Sequence, residues 1–386
     1  MKPEELLIAL LRSEVHNSAL PVEQLTPESM DGLCRVASSH TLMHAVGHVL
    51  GNAGLLGGDE LSKKFKNATI QAYVRHMRME TEYSRICQTL ESARISFIPL
   101  KGAVIRELYP EPWLRNSCDI DILVKPEVLD QAVAVLEKEL GYANRGRGDH
   151  DVSLFSPNSV HLELHFDMLE DWYAAGNAKA VLACVWEETI IEDGWLYRCR
   201  MPDELFYFYH MAHMAKHFQA GGCGVRPFLD IWVLNHKVSY DREKREALLA
   251  KGGLLTFAQR TEKLTEVWFG DEENDAVSQE LSDYILRAGI YGDRENMVAV
   301  GQIKVGNKVS YWVKHRIFAP YSMLKAEYPI LERNKWLMPI YQVIRWIQKL
   351  KAGRLRYLWN DWDTKASIKE EKSVKIAKLL KQLDIL

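Results

Sequence analysis

FIPLKGAVIRELYPEPWLRNSCDIDILV, residues 97–124, is the stretch that decides how this chain is read. An apolar run, Phe97 to Leu100, breaks at Lys101-Gly102. A second apolar run, ending at Val124, carries Asp119 and Asp121 inside it. In a strand side chains alternate, so carboxylates at i and i+2 share one face. Two like charges side by side repel and gain nothing structurally. They make sense around a cation, and a hard, oxygen-rich site of this kind suits Mg²⁺.

Outward from that stretch the composition is ordinary for a soluble globular protein, with 47% hydrophobic and 26% charged residues in 386. That length allows two or three domains, or one core with large additions. The formal net charge of -3 calls for no polyanionic partner overall. Six scattered cysteines form no CxxC pair, which argues against a zinc ribbon or dithiol motif and for reduced thiols in the cytoplasm. The opening MKPEELLIALLRSEV has Glu4 and Glu5 where a signal peptide would be basic. No apolar run approaches the ~20 residues of a membrane helix, so no membrane association is expected.

Residues 1–60 read as helices, one of them starting at Thr26-Pro27 with Thr26 as N-cap. Residues 59–94 form the longest helical pattern, with Leu61, Phe65, Ile70, Tyr73, Val74, Met77, Tyr83, Ile86 and Leu90 as one broad apolar stripe. Strands are expected at Phe97–Leu100, Asp119–Val124, Val152–Phe155 and Val160–Phe166, with an amphipathic helix at Pro126–Leu140 capped by Gly141. In the last strand His161, Glu163, His165 and Asp167 share the face opposite Val160, Leu162, Leu164 and Phe166. Beyond about residue 200 the pattern is helical, with helices at Asp203–Phe218 and Pro227–His236. The expected division is a helical region over 1–94, an α/β core over 95–200 and a helical region with a basic tail over 201–386.

The chemistry gathers around the two aspartates. Gly102 allows backbone N–H groups to approach phosphate oxygens. Asp119 and Asp121 are metal-ligand candidates, and Glu163 supplies a third carboxylate that could complete a two-metal site or accept a proton. Lys101 and Arg115 could neutralise a triphosphate, and Ser117 could hydrogen-bond to it. His165, on the Glu163 face, could orient a carboxylate or act as a base.

These residues resemble a known family. LKG, a Tyr-Pro turn, R-x-x-x-D-I-D-I-L-V and then Glu163-Leu164-His165 look like the uncharacterised nucleotidyltransferase family, within the DNA-polymerase-β-like nucleotidyltransferase superfamily. His213 to His217, followed by Gly224-Val225-Arg226-Pro227-Phe228-Leu229-Asp230, is similar to that family's helical C-terminal signature. The resemblance spans roughly residues 40 to 345 and is strongest from 98 to 167. It implies an α+β fold, with a small mixed sheet flanked by N-terminal helices and a large helical C-terminal region. It further implies Mg²⁺-dependent (or Mn²⁺-dependent) transfer of a nucleoside monophosphate from an NTP to an acceptor. By motif position Asp119, Asp121 and Glu163 are the three acids, with Asp149 or Asp151 as alternatives for the third. The chain departs from the superfamily's usual glycine-serine pair by having Lys101-Gly102.

Other features carry competing readings. His213, Lys216, His217, Arg226 and Asp230 are candidates for substrate contact, or for a structural cluster between helices and core. His213 and His217 have metal-pair spacing, which would suit a metal hydrolase, but Met214 stands where such an enzyme needs glutamate. His40, His44 and His48 read as an interfacial helix face rather than a metal stripe. From residue 303 onward 18 lysines and arginines stand against 7 acids. Trp346, Arg354, Arg356, Tyr357, Trp359, Trp362 and Lys365 within that segment could contact RNA. Ile376, Leu379, Leu380 and Leu383 read instead as a helix docking on its own protein. A nucleotide-binding regulatory or toxin-antitoxin module without turnover is the alternative function.

Overall fold

Five short strands pair into one mixed sheet: β1 (Phe97–Pro99), β2 (Asp119–Val124), β3 (Ala143–Arg147), β4 (Asp151–Phe155) and β5 (His161–His165). Their order is β1-β2-β5-β4-β3. Only β2 and β5 run parallel; every other neighbouring pair is antiparallel. The computed structural model describes residues 1–170, 176–289, 296, 300, 321, 324, 328, 330–351 and 370–386. This is the α+β arrangement that the sequence leads one to expect.

One face of the sheet is apolar because alternate residues make it so. Ile120, Ile122 and Val124 of β2, Val152 and Leu154 of β4, and Leu162 and Leu164 of β5 are all buried in one core. Two helices cover that face, α4 (Glu60–Ser92) through Met79, Tyr83, Ile86 and Leu90, and α6 (Leu129–Leu140) through Leu129, Ala132 and Leu136. Gly141 ends α6 in the left-handed conformation, with φ +69°. Each fully buried leucine of this kind contributes on the order of 1.5–3 kcal/mol.

The opposite face carries Asp119, Asp121, Glu163 and His165, together with Leu123. Leu123 belongs to the larger second core, with Ile98 and Leu100. That core is helical. It joins the N-terminal helices α1 (Pro3–His16), α2 (Pro27–Ser39) and α3 (Met43–Asn52) to α8 (Asp203–Gln219), α9 (Arg226–Lys237), α10 (Arg242–Lys251), α11 (Leu255–Phe269) and α12 (Ala276–Ala288). Helices from both ends of the chain therefore bury a common interior. Thr26 caps α2 as its sequence suggests, its hydroxyl accepting from the Ser29 N–H at 3.3 Å. The helix Glu370–Gln382 lies on α12 and seats Ile376, Leu379 and Leu380 in the same core, joined there by Leu383 just beyond its end.

Two elements differ from their sequence reading. The apolar stripe of α4 is interrupted: Phe65, Tyr83, Ile86 and Leu90 are buried, whereas Ile70, Tyr73, Val74 and Met77 are exposed. The helix packs on α3 toward its start and on α6 and β2 toward its end, and its middle spans the gap. Strand β3 is exposed along its whole length and has no apolar alternation, so only its pairing with β4 makes it a strand. Among the described residues no helix is long and apolar enough to cross a membrane.

Candidate active site

The parallel β2–β5 register sets Asp119 opposite His161, Asp121 opposite Glu163 and Leu123 opposite His165. With a period of two, Asp119 and Asp121 share a face with Glu163 and His165. Lys101 follows β1 and turns its ammonium onto that face, 2.7 Å from Asp121 Oδ1. The imidazole N–H of His165, at Nε2, donates to the same Asp121 oxygen at 2.9 Å and lies 3.5 Å from Glu163 Oε2.

These groups hold one another's charge. Burial works against the Asp121 carboxylate, but the Lys101 ammonium and then His165 outweigh it and hold its pKa well below the usual carboxylate range. Burial likewise opposes the charge on Lys101 and on His165. The Asp121 carboxylate reverses this for Lys101, and hydrogen bonds to Asp121 and Glu163 reverse it for His165, so both pKa values are raised. The hydrogen bond from His165 lowers Glu163. Asp119 is raised, first by burial and then by the Asp121 charge.

The backbone at Lys101 has φ +42° and ψ -112°, a conformation that glycine adopts freely and lysine does not. Such a residue costs on the order of 1–3 kcal/mol and persists where its surroundings over-determine it. Gly102 is glycine for a different reason. A Cβ there would lie 3.0 Å from Arg115 Nη1 and 3.3 Å from Ser117 Oγ.

Arg115 stands apart from the acidic group. Its Nε and Nη2 donate to Asp230 Oδ1 and Oδ2 at 3.1 and 2.9 Å, a buried two-pronged pair. Tyr109 donates its hydroxyl to Asp230 Oδ1 at 2.9 Å. Arg115 and Asp230, expected at a triphosphate and a substrate, thus pair with each other and pin the loop before β2 to α9. Ser117 is also occupied. It accepts from Arg106 Nη2 at 3.0 Å and donates to the Asp119 carbonyl at 3.2 Å, so it fixes the start of β2.

Lys216, His213, His217 and Arg226 lie on α8 and at the start of α9. Lys216 pairs with Glu170 at 2.6 Å, and Arg226 donates to the Asn116 carbonyl at 2.7 Å, just ahead of the two aspartates. The His213 and His217 rings meet edge to face at 4.6 Å. Burial first, and Lys216 next, pushes His217 down to about 4, and burial holds His213 well below its ordinary value. His40, His44 and His48 do not converge: His40 meets the Leu286 carbonyl, His44 the Leu114 carbonyl and His48 Asn52.

A further group was missed in the sequence. His150 lies 3.0 Å from Asp149 and 3.6 Å from Glu170, and its ring stands 5.2 Å from that of His165. The cluster of charges around Asp149-His150-Asp151 is its only sequence signal. Glu170, beyond β5, has none. Arg354, Arg356, Tyr357, Trp359, Trp362 and Lys365 lie outside the described residues. Trp346, inside them, has the Arg345 guanidinium 5.8 Å from its ring.

The donor set fits a divalent cation. Ligand atoms of Asp121, Glu163 and His165 all lie within 4.8 Å of one another, with Asp119 on the same strand face. Among the described residues this is the one such gathering of three, and His213 and His217 are not in it. Hard carboxylate oxygens dominate it, and an ammonium already takes up a cation's role beside Asp121. Glu163, not Asp149 or Asp151, is the acid beside Asp121.

A family model described as an uncharacterised nucleotidyltransferase matches residues 26–270. The chain belongs to that family. The matched span takes in the sheet, the acidic face and the helices between Pro27 and Phe269, so the nucleotidyltransferase assignment applies to the body that carries the site. No curated protein and no solved structure matches the chain. Nucleotidyltransferases generally employ divalent metals, and the acidic group of this family member has the composition to hold one.

Proposed function

We propose that this chain transfers a nucleoside monophosphate from an NTP to an acceptor and releases pyrophosphate, with Mg²⁺ or Mn²⁺ as cofactor. The observation that carries the reading is the β2–β5 register, which brings Glu163 beside Asp121 on the face that also holds Asp119. Asp119, Asp121 and Glu163 are the residues that would hold the cation. Bound there, it would neutralise charge on the phosphates and on the leaving pyrophosphate.

The chain's own groups take the remaining roles. Lys101 is the ammonium nearest the acids and meets phosphate oxygens as a flexible point charge. Gly102 keeps the turn beside it free of a side chain. Arg226, Lys216 and His217 would supply donors to the phosphates or the acceptor from the helical side. An acceptor oxygen bonds to the α-phosphorus as the bond from that phosphorus to the bridging oxygen breaks, and the electron pair leaves with pyrophosphate. Glu163, the more exposed of the strand-paired acids, takes the acceptor's proton. Ser117 and Arg115 act by positioning, through the Asp119 carbonyl and through Asp230.

The test is incubation with α-labelled NTPs, Mg²⁺ or Mn²⁺, and panels of small-molecule, protein and tRNA acceptors, following both labelled product and pyrophosphate. Transfer that disappears in Asp119→Asn and Asp121→Asn is the expected result. Equal behaviour of wild type and both variants across the panel would sink the reading. Nucleotide binding without pyrophosphate release would favour the regulatory alternative.

A further inference from the structure

The strained residue of the β1–α5 turn is the lysine, while the glycine beside it needs no unusual φ, α5 being the short helix Gly102–Ile105. Glycine at position 101 would relieve the backbone, yet the residue there is a long cation. What the conformation achieves is a direction. It sends the ammonium to 2.7 Å from Asp121 Oδ1, onto a carboxylate that is 4% exposed. His165 shares the same oxygen at 2.9 Å. The lysine side chain is itself 20% exposed.

A divalent cation coming alone to this carboxylate would meet an ammonium in direct contact with it. Repulsion between the two cations, at this range and in a partly desolvated place, weakens binding of the free ion. A triphosphate changes the balance, because its oxygens offer the ammonium another partner. The four-carbon stem can swing there without moving the backbone.

We infer that Lys101 is a tethered counter-ion that makes cation and nucleotide binding depend on each other. Without nucleotide it neutralises Asp121 and disfavours a free divalent cation; with nucleotide it moves to the triphosphate and the cation takes its place. The inference rests on the nucleotidyl-transfer reading of the acidic site. Linkage makes the coupling reciprocal, so the cation must tighten nucleotide binding by the same factor.

Calorimetric titration with Mn²⁺ tests this, with and without α,β-methylene analogues of the four NTPs, on wild type, Lys101→Met, Lys101→Arg and Lys101→Gly. The glycine variant relieves the turn and guards against a folding failure. Wild type should bind free Mn²⁺ weakly and about tenfold or more tightly with a nucleotide analogue present, a coupling of ordinary size. Lys101→Met and Lys101→Gly should bind free Mn²⁺ about tenfold more tightly than wild type and lose most of the coupling, and Lys101→Arg should keep it. If the neutral variants bind free Mn²⁺ no better, or show undiminished coupling, the inference fails while the acidic site stands. If neither wild type nor the neutral variants bind Mn²⁺ under any condition, the cation site itself fails and the inference with it.

Discussion

Asp121 and Glu163 face each other across the parallel β2–β5 pair, and His165, two residues on from Glu163, binds Asp121 through Nε2 at 2.9 Å. A parallel pair needs a crossover, here made by α6, β3 and β4. The whole segment from 125 to 160 therefore serves to bring Glu163 beside Asp121 in register.

Replacing these acids separates chemistry from folding. Glu163→Gln keeps the shape and removes one anionic donor, and transfer should fall by roughly 10²-fold or more, the scale of losing one aimed electrostatic group. Asp121→Asn should do the same and also lower stability, since it leaves Lys101 and His165 without their shared counter-charge. Initial rates and urea midpoints on both variants check this. A stability loss in Glu163→Gln as large as in Asp121→Asn would contradict it.

The Arg115–Asp230 pair gives a stability prediction remote from chemistry. Both side chains are buried, and removing one partner strands the other charge. Asp230→Ala should destabilise the fold by about 3–5 kcal/mol in urea unfolding. Tyr109→Phe, which removes one donor to the same carboxylate, should cost about 1–2 kcal/mol.

Acid stability should report His217. Its folded pKa is lowered, by burial first and by Lys216 next, to about 4, below an unfolded value near 6.5. The neutral form is the one the fold holds, so its contribution is complete above about pH 6.5 and declines as the pH falls toward 4. Wild type should lose stability over that window, and His217→Gln should flatten the profile. Urea midpoints from pH 7.5 to 4 measure it.

His165 has the opposite sign. Its folded pKa is raised, because hydrogen bonds to Asp121 and Glu163 outweigh burial. Its contribution is therefore full below about pH 6.5 and lost as the pH rises through the folded value. The stability gap between wild type and His165→Gln should narrow on going from pH 6 to pH 9. A gap that widens would overturn the raised pKa of His165.

The C-terminal helix should behave as part of the core. Leu380 is fully buried against the main body, so Leu380→Ala should cost about 2–5 kcal/mol by cavity formation, measured by thermal or urea unfolding.

Much of this was readable locally. Asp119 and Asp121 announce a shared face because strand side chains alternate, whatever the rest of the chain does. Thr26 marks a helix start through its hydroxyl, and Gly141 a helix end through the backbone freedom of glycine. The α4 stripe shows the complementary limit. Its period is correct, but whether Ile70 or Tyr73 is covered depends on where α3 and the sheet stop, which no window of sequence contains.

By itself, then, the sequence determined most of the elements, β3 excepted, together with the polar strand face and the family to which the chain is similar, since these follow from short-range periodicity and motif. Strand order, and so Glu163 rather than Asp149 or Asp151 as the neighbour of Asp121, was decided only in three dimensions. So were the partners of Arg115 and Lys101. Arginine beside an acidic strand suggests a phosphate ligand, yet Asp230 claims it from α9, because a buried guanidinium needs a buried carboxylate and the nearest one lies far along the chain. Lysine in a glycine's conformation could not be seen at all until the β1–α5 turn had a φ, because the lysine code carries no sign of a backbone angle that its type rarely adopts.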